Sequence, residues 1–338
     1  MRTVDELERT LATPSAGLVA DLAALEGDIL VLGAAGKLGP SLVRLAVNGV
    51  EQAGTGARVT AVSRFTTPGS AEQLEAAGAH TVTADLTDET SLAGLPDAAN
   101  VVFLVGAKFG SDGNEAATWH TNTYLPGRVA ERFSGSRISA LSTGNVYPLV
   151  PVDGGGSREG DAPAPVGEYA MSCLGRERVL EAMARRNGTP TAIIRLNYAV
   201  EMRYGVLVDL GQQILAGEPI DVTTGAVNLV WQGYANEVTL RALRHADVPP
   251  FVLNVTGAQT LRVRDLALAL GERLGRDVEL VGSEADTALL SDATASHEEF
   301  GEPAIGVEAL LDHTAAWLTA GGPVHGKPTK FQRRDGKF

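Results

Sequence analysis

Short apolar runs alternate with amphipathic stretches along most of the chain. Ile29–Leu32, Arg58–Val62, Thr81–Ala84, Val101–Val105, Ile138–Ser142, Thr191–Arg195 and Phe251–Val255 read as strands, rich in aliphatic and β-branched residues. Several are apolar throughout instead of alternating, which marks parallel strands buried on both faces. Between them a 3.6-residue period predicts helices over Leu38–Val47, Glu115–Phe133 and Glu168–Arg186. Strand–helix alternation of this kind specifies an α/β fold around a doubly wound parallel sheet. Residues 1–26 stand outside the rhythm and read as two short helices, the second capped by Ser15. After Arg195 the pattern loosens, with helices Tyr204–Leu215 and Val263–Leu274 between short extended pieces.

The first strand runs into Gly33-Ala-Ala-Gly36-Lys-Leu-Gly39 and then a helix. Gly33 permits a sharp turn, Gly36 lets backbone approach phosphates, and Gly39 lets the helix sit close to the strand. The amides and the positive dipole end at the helix start face the anion. Ala35, Lys37 and Leu38 fall in the same turn, so residues 33–39 are expected to hold a dinucleotide pyrophosphate. The second strand ends at Ser63-Arg64, where an acidic residue would hold both hydroxyls of an adenine ribose. A hydroxyl and a guanidinium there suit a 2′-phosphate, so NADP is favoured over NAD. Asp85-Leu86 follows the third strand; its carboxylate suits either the adenine amino group or a turn. Val105, Gly106 and Ala107 end the fourth strand, where backbone can approach the cofactor.

Ser142-Thr-Gly-Asn145-Val-Tyr147 and Glu168-Tyr169-Ala-Met-Ser-Cys173 complete a set of motifs. With the glycine turn, Asp85-Leu86, Asn122 and Arg195-Leu-Asn197, the chain resembles the extended short-chain dehydrogenase/reductase superfamily, in its epimerase/dehydratase branch. The resemblance runs from Asp28 to about Thr256. It implies a Rossmann-type sheet with a smaller C-terminal substrate lobe, and an NAD(P)-dependent hydride transfer. In that family a tyrosine exchanges a proton with a substrate hydroxyl while a strand-end Ser or Thr holds the same oxygen. Matched by motif, these roles fall on Tyr169 and Thr143, with Ser142 beside them. Asn122 matches the family's helix asparagine, and Asn197 a residue near the nicotinamide. Asn145, Arg203 and Trp231 are candidates for the substrate side, Trp231 also for core packing.

One departure stands out. Four residues after its tyrosine the family has lysine; here the position is Cys173. A thiol carries no fixed charge, so tyrosinate loses its stabilising cation. Replacement cations could come from Lys37 or Arg203; Arg176, two helical turns on, is expected to lie too far away. A second departure is Gln232 and Tyr234, where the family has an acidic pair.

The implied division is a helical extension (1–26), a dinucleotide-binding domain (27–198, with 231–257 returning to it), and a substrate lobe (199–230 and 258–338). Two functions follow. One is an oxidoreductase or epimerase acting on a hydroxylated small molecule such as a sugar, sugar acid or nucleotide sugar. The other is a non-catalytic NAD(P)-binding sensor on the same fold.

The net charge of −13 argues against nucleic acid and anionic membranes as partners. The single cysteine excludes an intrachain disulfide, and the six histidines show no ligand spacing, so no metal is expected. Asp5, Glu6 and Glu8 stand where a secretory leader would be basic, and no apolar run is long enough to span a bilayer. A cytoplasmic location is the expectation. The resemblance adds a homodimer through helices Glu115–Phe133 and Glu168–Arg186. The polar, basic tail Gly326–Phe338 reads either as disordered or as docked over the cleft.

Overall fold

The computed structural model describes residues 1–108, 110 and 113–337. Seven parallel strands form the central sheet: β1 (Ile29–Leu32), β2 (Val59–Ser63), β3 (His80–Thr83), β4 (Asn100–Phe103), β5 (Arg137–Thr143), β6 (Thr191–Leu196) and β7 (Phe251–Val255). Their order is β7-β6-β5-β4-β1-β2-β3. Ile29 lies opposite Val59 on one side and Asn100 on the other, so β1 is central. Its four side chains are all buried, and they divide by parity. Ile29 and Val31 join the cluster under the Gly39–Ala53 helix, while Leu30 and Leu32 join Val101, Phe103 and Ile138 on the opposite face. A strand covered on both faces has no polar side to show, hence its unbroken apolar run.

The N-terminal helices Val4–Leu11 and Ala16–Ala23 precede β1. Ser15 caps the second by accepting from the Leu18 amide at 3.0 Å. That helix packs on Gly39–Ala53 at Gly49, where a Cβ would stand 2.5 Å from a Leu22 methyl. Helix Gln232–Arg241 lies on the same face, with Gln232 and Asn236 both donating to the Ser41 hydroxyl. Helices Val206–Ala216, Val263–Leu274 and Val307–Thr319 pack together beyond β6.

Two expectations need correction. The segment read as one helix over Glu115–Phe133 is α-helical at Glu115–Trp119 and Leu125–Arg132, with a π-turn at His120–Tyr124 between them. Pro126 supplies the reason: it has no N–H to give the Asn122 carbonyl one turn back. Arg176 Nε donates to that carbonyl instead, at 3.2 Å. The fourth strand ends at Phe103, not Val105. Ala107 beyond it is held by Asn122, whose Oδ1 accepts from the Ala107 amide and whose Nδ2 donates to the Ala107 carbonyl.

Of the two readings of the tail, the docked one holds as far as Lys337; Phe338 lies outside the described residues. Thr329 and Phe331 are buried. Asp209 Oδ2 accepts from the Thr329 amide and hydroxyl at 2.7 and 2.6 Å. Arg334 donates to the Thr287 carbonyl and hydroxyl.

Candidate active site

All seven strands run the same way, so their C-terminal ends open along one edge, where ligands collect in such sheets. A cleft follows that edge in two halves that share Gly36, Leu104 and Gly106. The first half, about 320 Å³, is lined by Gly33, Ala35, Ser63, Arg64, Asp85, Leu86 and Val105. The second, about 330 Å³, is lined by Lys37, Leu38, Ser142, Thr143, Asn145, Tyr169 and Asn197, together with Lys108, Arg176, Tyr198, Tyr204 and Thr329. A hollow of about 480 Å³ at the other ends of β1, β4 and β5 is lined by Asp28, Asp97 and Arg132. Asp28 is tied to Arg58 and Asp97 to Arg132, so it presents paired surface charges instead of converging chemistry.

The glycine turn has the geometry a pyrophosphate requires. Gly33 has φ +89°, a value that favours glycine, and a Cβ on Gly39 would stand 2.2 Å from the Ala34 carbonyl oxygen. The Gly39–Ala53 helix starts with no side-chain cap, leaving its first amides facing the cleft. These residues fit a dinucleotide. Asp85 is exposed, and its Oδ1 takes the amide and hydroxyl of Thr87, bonds that hold its carboxyl below the usual range. It is thus a turn residue that also lines the adenosine half.

At the other end, the Thr143 hydroxyl donates to Asn145 Oδ1 at 3.0 Å, and Thr143 and Tyr169 line the same part of the cleft. Burial pushes the Tyr169 phenol well above its ordinary value, and Cys173 adds to this; Thr143 and Arg176 pull the other way. Ser142 lines the cleft, but its hydroxyl donates down to the buried Glu177. Asn122 is buried and spends its amide on Ala107, Ser172 and Arg176, so it braces the loop after β4 instead of opening to the cleft. Asn197 donates to the Leu289 carbonyl at 3.3 Å.

Cys173 is enclosed with Val146, Tyr147 and Tyr169, and burial pushes its thiol up. Contrary to the expectation from helical spacing, Arg176 reaches the site. Its guanidinium donates to the Leu141 carbonyl and Asn122 Oδ1, and Arg176 lines the half of the cleft that Tyr169 lines. Lys108, which the sequence reading passed over, has its ammonium 5.9 Å from the Tyr169 ring centre. Burial lowers Lys108 to about 8. Its signal was its position two residues past Gly106, at the mouth of a central strand. Tyr198, Tyr204 and Thr329 were also missed, because they come from the loop after β6 and from the tail.

Two of the candidates for the substrate side stay away from the cleft. Arg203 is held by Glu201 and Glu8, so its charge faces the N-terminal helix. Trp231 is 4% exposed in the main core and lies against Gly233. Core packing is its role.

Lysine at position 173, which the resemblance implies, would sit in the enclosed setting that Cys173 occupies. The new ammonium would be buried among apolar groups, near Arg176 and Lys108. Cys173→Lys is expected to lower the thermal midpoint by several degrees, readable by calorimetry; an unchanged or raised midpoint would contradict this packing.

Fold and site together define a dinucleotide-binding α/β protein whose cleft ends at a Thr–Tyr pair. The chain belongs to the NAD dependent epimerase/dehydratase family, whose model matches residues 29–221, and is an enzyme of that type. Solved structures agree in fold. A UDP-glucose 4-epimerase from Thermotoga maritima, crystallised with UDP-glucose, is 22% identical at a TM-score of 0.74, covering 87% of this chain and 99% of its own. A dTDP-glucose 4,6-dehydratase from Streptomyces venezuelae, with NAD bound, is 20% identical at a TM-score of 0.73, covering 86% and 97%. A UDP-glucuronic acid 4-epimerase from Bacillus cereus, in complex with NAD, is 18% identical at a TM-score of 0.71, covering 86% and 98%. No curated protein matches the sequence. Among the described residues no helix is long and apolar enough to cross a membrane, and no group of metal-ligating side chains occurs.

Proposed function

We propose that the protein catalyses NAD(P)-dependent hydride transfer on a hydroxylated small molecule, a sugar or sugar derivative, with Tyr169 exchanging the hydroxyl proton. The observation that carries this reading is that Tyr169 and Thr143 together line the end of a cleft that begins at the glycine turn. When bound, the nicotinamide supplies the hydride acceptor or donor. The residues around it do the rest. Thr143 holds the substrate oxygen, Tyr169 gives or takes its proton, and Arg176 with Lys108 supplies the positive charge that lysine provides elsewhere in the family. With the phenol held protonated by burial, Tyr169 is poised first as a donor. The lobe formed by 199–230 and 258–338 contributes Tyr204 and Thr329 to the substrate side. The homodimer remains part of this reading on the strength of the resemblance. Trp119 and Tyr124 are exposed along one of the two helices concerned.

On the adenosine side, Ser63 and Arg64 favour NADP. Arg64→Ala is expected to reduce the thermal stabilisation by NADP while leaving that by NAD nearly unchanged, since a ligand stabilises the state it binds. Equal loss for both cofactors would remove the 2′-phosphate contact. A screen for nicotinamide absorbance change across neutral sugars, sugar acids, sugar phosphates and nucleotide sugars tests the reaction itself; silence across all four classes with cofactor bound would overturn it.

A further inference from the structure

The chain has only five lysines in 338 residues. Two of them line the cleft, and two more flank Thr329 on the tail, whose carbonyl accepts from Lys108 Nζ at 3.4 Å. Lys37 and Lys108 line the catalytic half of the cleft. Lys327 and Lys330 arrive on the docked tail, close enough that Lys327 acts electrostatically on Lys37, and Lys330 on Lys108. Lys37 Nζ also sits 3.2 Å above the centre of the Tyr204 ring, which holds it at the cleft wall. The carboxylate facing this group is Asp209, on which the tail is anchored through Thr329.

Gathering ammonium groups in a half-buried space works against folding, because each makes the next harder to charge. Burial, then Lys108 and Lys327, lower Lys37 to about 7. In a chain of net charge −13 nothing general requires such a focus. An anion of the right size would relieve it. Size is limited too: about 330 Å³ must receive both the nicotinamide end and the substrate, and this lies at the small end of ligand pockets, which run from about 300 to 1,000 Å³. The tail walls this space at Thr329, with Phe331 buried behind it.

We propose that the substrate is a monosaccharide-sized anion, a sugar acid or sugar monophosphate, whose charged oxygens lie by Lys37 and Lys108, with Lys327 and Lys330 on the adjoining tail adding to the field, while its reacting hydroxyl meets Tyr169. The proposal rests on the reading of Tyr169 given above and deepens it.

Titration calorimetry on the Tyr169→Phe protein, with and without NADP, reads binding without turnover, so a failed hydride reaction and a failed anion site are separate results. A sugar acid or a sugar monophosphate is expected to bind at least about tenfold tighter than the neutral parent sugar, about 1.4 kcal/mol. Preference between the two identifies carboxylate or phosphate; either supports the proposal. Affinity should fall with added salt, and fall again as pH rises through 7 to 8, where Lys37 and Lys108 give up the protons the anion needs. Lys108→Met should lose about tenfold, and so should the double change Lys327→Met with Lys330→Met, which touches only the tail and whose fold a thermal midpoint verifies. Equal binding of the neutral sugar, no anion binding at millimolar concentration, tighter binding of a nucleotide diphosphate sugar, or an unaffected tail variant would each overturn it.

Discussion

Tyr169→Phe is expected to lower the proposed hydride transfer by roughly 10²–10⁴-fold, the usual worth of a placed acid or base, while cofactor binding stays within about twofold. The phenylalanine keeps the ring against Cys173 and Val146 and removes only the phenol oxygen. Stability should therefore hardly change. The discriminating measurement pairs a single-turnover rate with a cofactor titration. Full activity in the variant would mean that another group handles the proton, and loss of cofactor binding would mean that the ring is structural. Because burial raises the wild-type phenol, the reductive direction, in which Tyr169 donates, should hold its rate across neutral pH. The oxidative direction needs tyrosinate, so its rate should rise with pH.

Glu177→Gln removes about 3–5 kcal/mol of stability, a large share of what a domain possesses. Glu177 and Arg195 are 3% and 6% exposed and joined by a two-pronged contact, with Arg195 Nη2 donating to Glu177 Oε2 at 2.7 Å. Burial opposes the Arg195 charge, and Glu177 and Tyr147 more than reverse this, holding Arg195 above its usual value. The pair is tied to the site. Ser142 donates to Glu177, and Arg195 Nη1 donates to the Tyr147 hydroxyl, which in turn bonds Asn254. Neutralising the carboxylate strands a guanidinium beneath the strand end that presents Thr143. Urea unfolding measures the loss; a change under 1 kcal/mol would show that water reaches Arg195 after all.

The strand set was legible because it depends on neighbours in the chain. Ile29–Leu32 and Phe251–Val255 fall where the apolar runs place them, and Ser15 caps the helix it precedes. The glycine spacing was legible for the same reason: a turn, a close approach and a helix start lie within seven residues. Pro126 was a local signal too, and weighing its missing N–H would have broken the Glu115–Phe133 helix in advance.

Other features had no local signal. Helical spacing counts Cα positions, and by that count Arg176 is distant from Tyr169. The guanidinium sits at the end of a long side chain, drawn to the Asn122 carbonyl that Pro126 leaves open. Arg203 looked available until the N-terminal helix brought Glu8 to it. Lys108, Tyr204 and Lys330 lie more than 200 residues apart in part, and no pattern along the chain relates them.

Periodicity and glycine spacing thus determined a parallel α/β sheet with a nucleotide turn at its centre, since backbone conformation and the facing of each strand follow from adjacent residues. Which charges surround Tyr169 was decided only by tertiary structure. Long side chains from a strand-end loop and a helix meet there beside Thr329 of the tail, and the field they make together depends on distances that folding alone creates.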